Sequence, residues 1–284
     1  MDFSGGLSSN QQTEVICPTE QPSHLGCTEC ASRELCWSRG LTCNDSSWFG
    51  DLYFVRRRVG RGECLYRMGD GFESLYAVRS GFFKTRVLLE DGRDHLTSFR
   101  MSGDLLGFDG IGSQHYSCDV IALEDSEVCI IPYRRLMRVA NKVPELGLEL
   151  HRMMSREIVR EQSIMSLLST MQAEERVVAF LLNLSMRLQD RRHSPTCFIL
   201  RMTREEIGSY LGLKLETVSR VLSRLQTAKL IQIEHNKQIT LLDVSKLKGM
   251  LSDQLTITPC QITTGTVIPI RRHATNHGQV SLAI

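Results

Sequence analysis

The chain has 284 residues, 42% hydrophobic and 23% charged, which is the balance of a globular protein of one large or two ordinary domains. It opens on no basic, apolar leader and contains no run near the ~18 uninterrupted apolar residues of a bilayer span, so no membrane role and a cytoplasmic location are expected. The net charge of +2 hides an asymmetry: residues 1–50 carry two basic and six acidic side chains, whereas 187–250 carry twelve basic and six acidic, which points a polyanion at the C-terminal half.

Residues 1–24 are polar and without period, predicting a flexible N-terminus. A cysteine-rich loop is expected over 25–48, where HLGCTECASRELCW (24–37) has Cys27, Cys30 and Cys36 spaced C-x2-C-x5-C. In a reducing compartment ten cysteines point to metal or redox chemistry, and three clustered thiolates call for a fourth ligand from elsewhere. Among the others, position in the chain favours cysteines of the next segment, Cys64, Cys118 and Cys129, over Cys17 in the flexible head and Cys197 and Cys260 in or beyond the C-terminal half. It does not choose between Cys118 and Cys129, and Cys43, seven residues past Cys36, stays open as a substitute. Structural zinc is the rival metal, although the x5 gap is not its usual paired CxxC arrangement.

From 49 to 134 short β-branched and aromatic runs (SLYAVR, FFKTRVLL, HLTSFRM, CDVIAL, EVCIIP) alternate with glycine and Asx turns, predicting a β-sandwich or barrel without crossover helices. Over 135–170 the period becomes helical. Met154, Ile158, Glu161, Met165 and Leu168 step by 4, 3, 4, 3, a seam narrow enough to want a second helix, which a symmetric dimer supplies. Glu161 within that seam would meet its two-fold mate, and two like charges in a partly dry interface oppose association.

Residues 171–250 hold a second apolar-periodic helix (174–188) and then MTREEIGSYLGLKLETVSRVLSRLQTAKLI. Thr203 and Glu206 form a capping-box start, Gly212 a turn, and a second helix at roughly 215–227 buries Val218, Leu222 and Leu225. Glu216, Ser219 and Arg220 fall on its opposite face, with the chemistry to read base edges in a major groove. Lys214, Arg224, Lys229 and Lys237 suit phosphates. LIQIEHNKQITLL reads as a hairpin wing, completing a winged helix-turn-helix. No nucleophile triad, P-loop or GxGxxG accompanies these elements, so an enzyme is not expected. Residues 251–284 show no sustained period and read as a poorly ordered extension.

This α+β order resembles the CRP/FNR superfamily. SLYAVRSG, GDLLGFDGIGS, EVCIIP, AEERVVAFLLNLS, MTREEIGSYLGLKLETVSR and the cysteine head narrow the likeness to FNR-type oxygen-responsive regulators, over about residues 24–248. The resemblance implies an N-terminal β-roll like that of cyclic-nucleotide-binding barrels, a long dimerisation helix and the winged helix-turn-helix. It further implies a [4Fe-4S] cluster on Cys27, Cys30, Cys36 and Cys129, a homodimer when the cluster is loaded, and TTGAT-N4-ATCAA-like double-stranded DNA sites read by Glu216, Ser219 and Arg220. RNA polymerase would meet the loop 86–95, and promoters would be activated or repressed in the absence of oxygen. No cyclic nucleotide is expected, since no arginine lies between Gly103 and Val120 to hold its phosphate. The same DNA-binding mode under another signal (cysteine oxidation, nitric oxide, structural zinc) is the alternative. In one departure, the family has an Asp where Glu161 stands, and the longer side chain could splay outward and oppose dimerisation less.

Overall fold

A computed structural model describes residues 55–251, apart from 89–91, 93 and 236. Strands β1 (Val55–Val59), β2 (Cys64–Tyr66), β3 (Ser74–Ser80), β4 (Phe82–Leu88), β5 (Asp94–Met101), β6 (Leu105–Leu106), β7 (Asp119–Ala122) and β8 (Ser126–Pro132), with the single-turn helix α1 (Gly110–Ser113), make the N-terminal half. They form two antiparallel four-stranded sheets, ordered β1-β8-β3-β6 and β2-β7-β4-β5. Inward residues such as Leu75, Phe83, Val120, Val128 and Ile131 make the roll's core, as period-two alternation requires. Tyr66 and Tyr116 stack inside it with ring centroids 3.9 Å apart.

The helical stretch expected over 135–170 is two helices, α2 (Tyr133–Ala140) and α3 (Pro144–Thr170). Pro144 is the cause: it disfavours helical backbone at Val143, which is extended, yet its missing N–H costs nothing in the first turn of α3. α4 (Ala173–Asp190) begins on a capping box between Gln172 and Glu175. Beyond it come β9 (Cys197–Ile199), α5 (Arg204–Leu211), α6 (Leu215–Thr227), β10 (Ile231–Glu234), β11 (Gln238–Leu241) and α7 (Val244–Gly249). The wing is a three-stranded sheet, β10-β11-β9, where the sequence predicts only the hairpin.

β5 joins the two halves. Ser98, Phe99, Arg100 and Met101 are buried in succession, so both faces of the strand are covered. Phe99 packs against Phe180 of α4 and Tyr210 of α5, with ring centroids at 6.0 and 5.2 Å. Just beyond β5, the carboxylate of Asp104 accepts from Arg187 of α4 at 2.5 Å and from Arg191, the C-cap of that helix, at 2.7 Å, with Arg160 of α3 at 3.9 Å. Burial alone would raise its pKa, but the guanidiniums of Arg187, Arg160 and Arg191 hold it down at about 2.

Candidate functional site

The reciprocal cap on α5 is present: Thr203 Oγ1 accepts from the Glu206 amide at 3.1 Å, and Glu206 Oε2 accepts from the Thr203 amide at 2.7 Å. Glu206 Oε1 also accepts from Lys84 Nζ of β4 at 2.6 Å, so the carboxylate that starts the helix docks it on the roll. Gly212 closes α5 in the left-handed region at φ 63°, and an added Cβ at Gly208 would lie 2.6 Å from the Leu213 carbonyl oxygen. Such a turn tolerates neither a β-branched residue at 212 nor a side chain at 208.

α6 buries Val218, Val221, Leu222 and Leu225 against this support. On its other face Glu216 and Arg220 are exposed and Ser219 is half-exposed; Arg220 Nη2 donates to Thr217 Oγ1 at 3.4 Å. The three predicted base readers therefore share one solvent-facing side of α6. Lys214, Lys229 and Lys237 are exposed around it. Arg224, also exposed, donates to Glu174 of α4 at 2.9 Å. Arg176 carries no sequence signal, being one of two arginines in α4 whose partners lie elsewhere in the chain. It donates to the carbonyls of Leu168, Met171 and Leu211 at 2.6, 2.9 and 3.1 Å, tying the ends of α3 and α5 together.

On α3, Ile158 and Met165 stand 57% and 70% exposed, which leaves the middle of the predicted seam open. Met154 packs back on the roll's core, and Leu168 is half-buried. Glu161 leans toward Arg100 of β5, whose Nη2 lies 3.5 Å from its Oε1, while Arg100 also pairs with Glu157. Partial burial raises the Glu161 pKa, and Arg100 opposes that rise. Of the predicted polymerase-facing loop 86–95, Arg86 at its base is held by Asp94 at 2.6 Å and Asp119 at 3.0 Å.

Cys27, Cys30, Cys36 and Cys43 lie outside the described residues. Among the described residues no group of three or more His, Cys, Asp or Glu could hold a metal, so any site with the cysteine head needs that head. Cys129 is half-buried on β8, in register with Arg56 of β1 on one side and Ala77 of β3 on the other. The chain enters the described fold at Val55, opposite Ile130, so the strand leading from the cysteine head runs beside Cys129. The twenty residues from Cys36 to Arg56 can span up to ~65 Å, so chain length permits the head to reach it. Cys118 is chemically less apt: burial and the neighbouring Asp109 push its thiol up to about 12. Burial and Asp119 raise that of Cys64 as well, and its Sγ donates to the Tyr66 carbonyl. A ligand thiolate is harder to form at either position.

The Crp-like helix-turn-helix domain family matches residues 175–250, and the cyclic nucleotide-binding domain family matches residues 56–143. The chain is 38% identical over 233 residues to the transcriptional regulatory protein Btr of Bordetella pertussis, covering 82% of this chain and 96% of that one. It is 40% identical over 229 residues to the transcriptional activator Anr of Pseudomonas aeruginosa, covering 81% and 93%. With the fumarate and nitrate reduction regulatory protein of Escherichia coli the identity is 40% over 217 residues, covering 76% and 86%. Among solved structures, FixK2 from Bradyrhizobium japonicum superposes with a TM-score of 0.65 at 30% identity, over 70% of this chain and 97% of that one. No helix among the described residues is long and apolar enough to cross a membrane. Similarity that runs through roll, long helix and reading unit alike makes the chain a member of the CRP/FNR family of transcription regulators, DNA-binding proteins of the helix-turn-helix type and not enzymes.

Proposed function

We propose that the protein is an oxygen-responsive regulator in which Cys27, Cys30, Cys36 and Cys129 hold a [4Fe-4S] cluster. The observation that carries this reading is the placement of Cys129 beside β1, the strand into which the cysteine head leads, while Cys64 and Cys118 are held toward the thiol form. When bound, such a cluster supplies an oxygen-labile link between head and roll. The chain's own residues do the rest. Ile158 and Met165 offer α3 an apolar seam for a second copy, and Glu161 sets a charge against pairing.

In the resulting homodimer two α6 helices would meet successive half-sites of a TTGAT-N4-ATCAA-like sequence. Arg220 can fork onto guanine O6 and N7, Glu216 can accept from cytosine N4, and Ser219 can do either. Lys214, Lys229 and Lys237 would add salt-dependent phosphate contacts. RNA polymerase would be met at the β4–β5 loop, for activation or repression by promoter geometry. The stacked Tyr66 and Tyr116 inside the roll leave its middle to aromatic packing, which supports a regulator without a cyclic nucleotide. One relative's name couples it to fumarate and nitrate reduction, and control of anaerobic genes is the reading carried over here.

The test is iron and acid-labile sulfide per protomer after anaerobic purification, with absorbance followed on admitting air. Four of each, with a brown chromophore that bleaches as the dimer dissociates, is expected from cluster stoichiometry. A colourless, zinc-replete dimer would overturn the oxygen response and leave the DNA-binding role intact.

A further inference from the structure

An apolar groove of about 650 Å³ opens where the long helix meets the reading unit. It is lined by Ile164 and Leu167 of α3, Leu182 and Met186 of α4, Val244 of α7 and Leu251 just past that helix. Two features indicate what covers it. By helical phase Ile164 and Leu167 lie off the Ile158–Met165 seam, so a second copy pairing along that seam leaves the groove open. And Leu251, the last described residue, is itself part of the lining, so the chain leaves the fold at the groove.

The segment beyond Leu251 has a composition suited to such a surface. Residues 252–284 carry Asp253, Arg271 and Arg272 as their only Asp, Glu, Lys or Arg, against 23% charged residues in the whole chain. Chains that stay solvated are usually charge-rich. Here instead Leu255 and Ile257 alternate within seven residues of the groove, and Val267, Ile268 and Ile270 come later. Six extended residues reach about 20 Å, enough to bring Leu255 and Ile257 back over Met186. The helix-turn-helix family match stops at residue 250, so this segment lies beyond the reading unit itself.

From these observations we infer that residues 252–270 lie in the groove as an intramolecular strap, with Leu255 and Ile257 as its apolar anchors. The strap joins α3, α4 and α7 at the joint through which a change in the long helix reaches α6. Neither the cluster nor the oxygen response enters this inference, so it can fail while the proposed function stands.

A photoreactive benzoylphenylalanine in place of Met186, which is 46% exposed and so tolerant of replacement, tests it in the full-length protein. Irradiation followed by mass spectrometry should give a monomer-mass product joining position 186 to a peptide from 252–270. The double variant Leu255→Asp, Ile257→Asp should lose that product and exchange the amides of residues 179–189 several-fold faster, with α5 and α6 unchanged. Cross-links between two chains would assign the groove to a second copy and overturn the strap. Cross-links confined to residues up to Leu251, or identical exchange in both proteins, would overturn it too.

Discussion

Gly208 tests how tightly the reading unit is built. Alanine in a helix interior normally gains about 1 kcal/mol over glycine, which favours Gly208→Ala. Against this, the new methyl would lie 2.6 Å from the Leu213 carbonyl oxygen, and that atom is backbone in the turn that aims α6. Overpacking against an atom that cannot rotate away costs about 1–3 kcal/mol, so the strain wins. Gly208→Ala should lower Tm by several degrees and weaken operator binding in a mobility-shift titration; a raised Tm would show that the turn yields. The thiols divide in the same way. Cys118→Ser should leave iron per protomer unchanged, because burial and Asp109 already hold that side chain protonated. Cys129→Ser should lose most of the iron, as measured on anaerobically purified protein, and equal iron in the two variants would unseat Cys129 as the fourth ligand.

At the scale of elements, α3 would carry the proposed switch. Its exposed Ile158 and Met165 favour a partner, and Glu161 between them opposes one. Removing that carboxylate should make the cluster-free protein dimerise: Glu161→Ala is expected to run at twice the monomer mass by light scattering in air, and an aerobic monomer would contradict the role. The contact with Arg100 softens the expectation for the native chain, since a glutamate partly neutralised by its own roll repels its mate less. The capping box and the exposed face of α6 are legible in the sequence because each is a local pattern of period and spacing, whereas of the apolar seam positions Ile158 and Met165 stand clear of the fold and Met154 packs back on the roll. The break at Val143 is written in Pro144 but masked by the apolar period on either side of it. β9 is not legible, since three residues become a strand only by pairing with β11 some forty residues later. Arg176 and Asp104 are hidden for a related reason: their partners come from other elements. For the proposed cluster site, the three-cysteine head is plain in the sequence, whereas a preference among the roll cysteines draws on the β1–β8 register and the burial of Cys118.

Across the whole molecule, Asp104 among its arginines joins the two halves beside the Phe99 packing and the Lys84–Glu206 pair. Asp104 receives Arg187 from α4 and Arg191 from its C-cap, so it couples the turn after β5 to the helix that leads into the reading unit. Its carboxyl sits at about 2 against an ordinary 3.8. A depressed folded-state value means the ionised form is the stabilising one. Its contribution is complete above about pH 4 and is lost as pH falls through 2; the gap of nearly two pH units corresponds to about 2 kcal/mol. Stability of the native protein should therefore fall with acid in that window by an amount that Asp104→Asn no longer shows. At neutral pH the same variant leaves two buried guanidiniums facing an uncharged amide, and breaking a buried pair in this way costs about 3–5 kcal/mol. The docking of α4 and α5 on β5 should then loosen, and calorimetry at pH 7 should resolve two transitions, one for the roll and one for the helix-turn-helix unit, where the native chain gives a single one. Dimer mass should be unchanged, because the α3 seam is untouched, while operator affinity drops at least tenfold as the two α6 helices lose their fixed spacing. A variant that melts in one transition with native acid dependence would show that the aromatic contacts of Phe99 hold the halves together without Asp104.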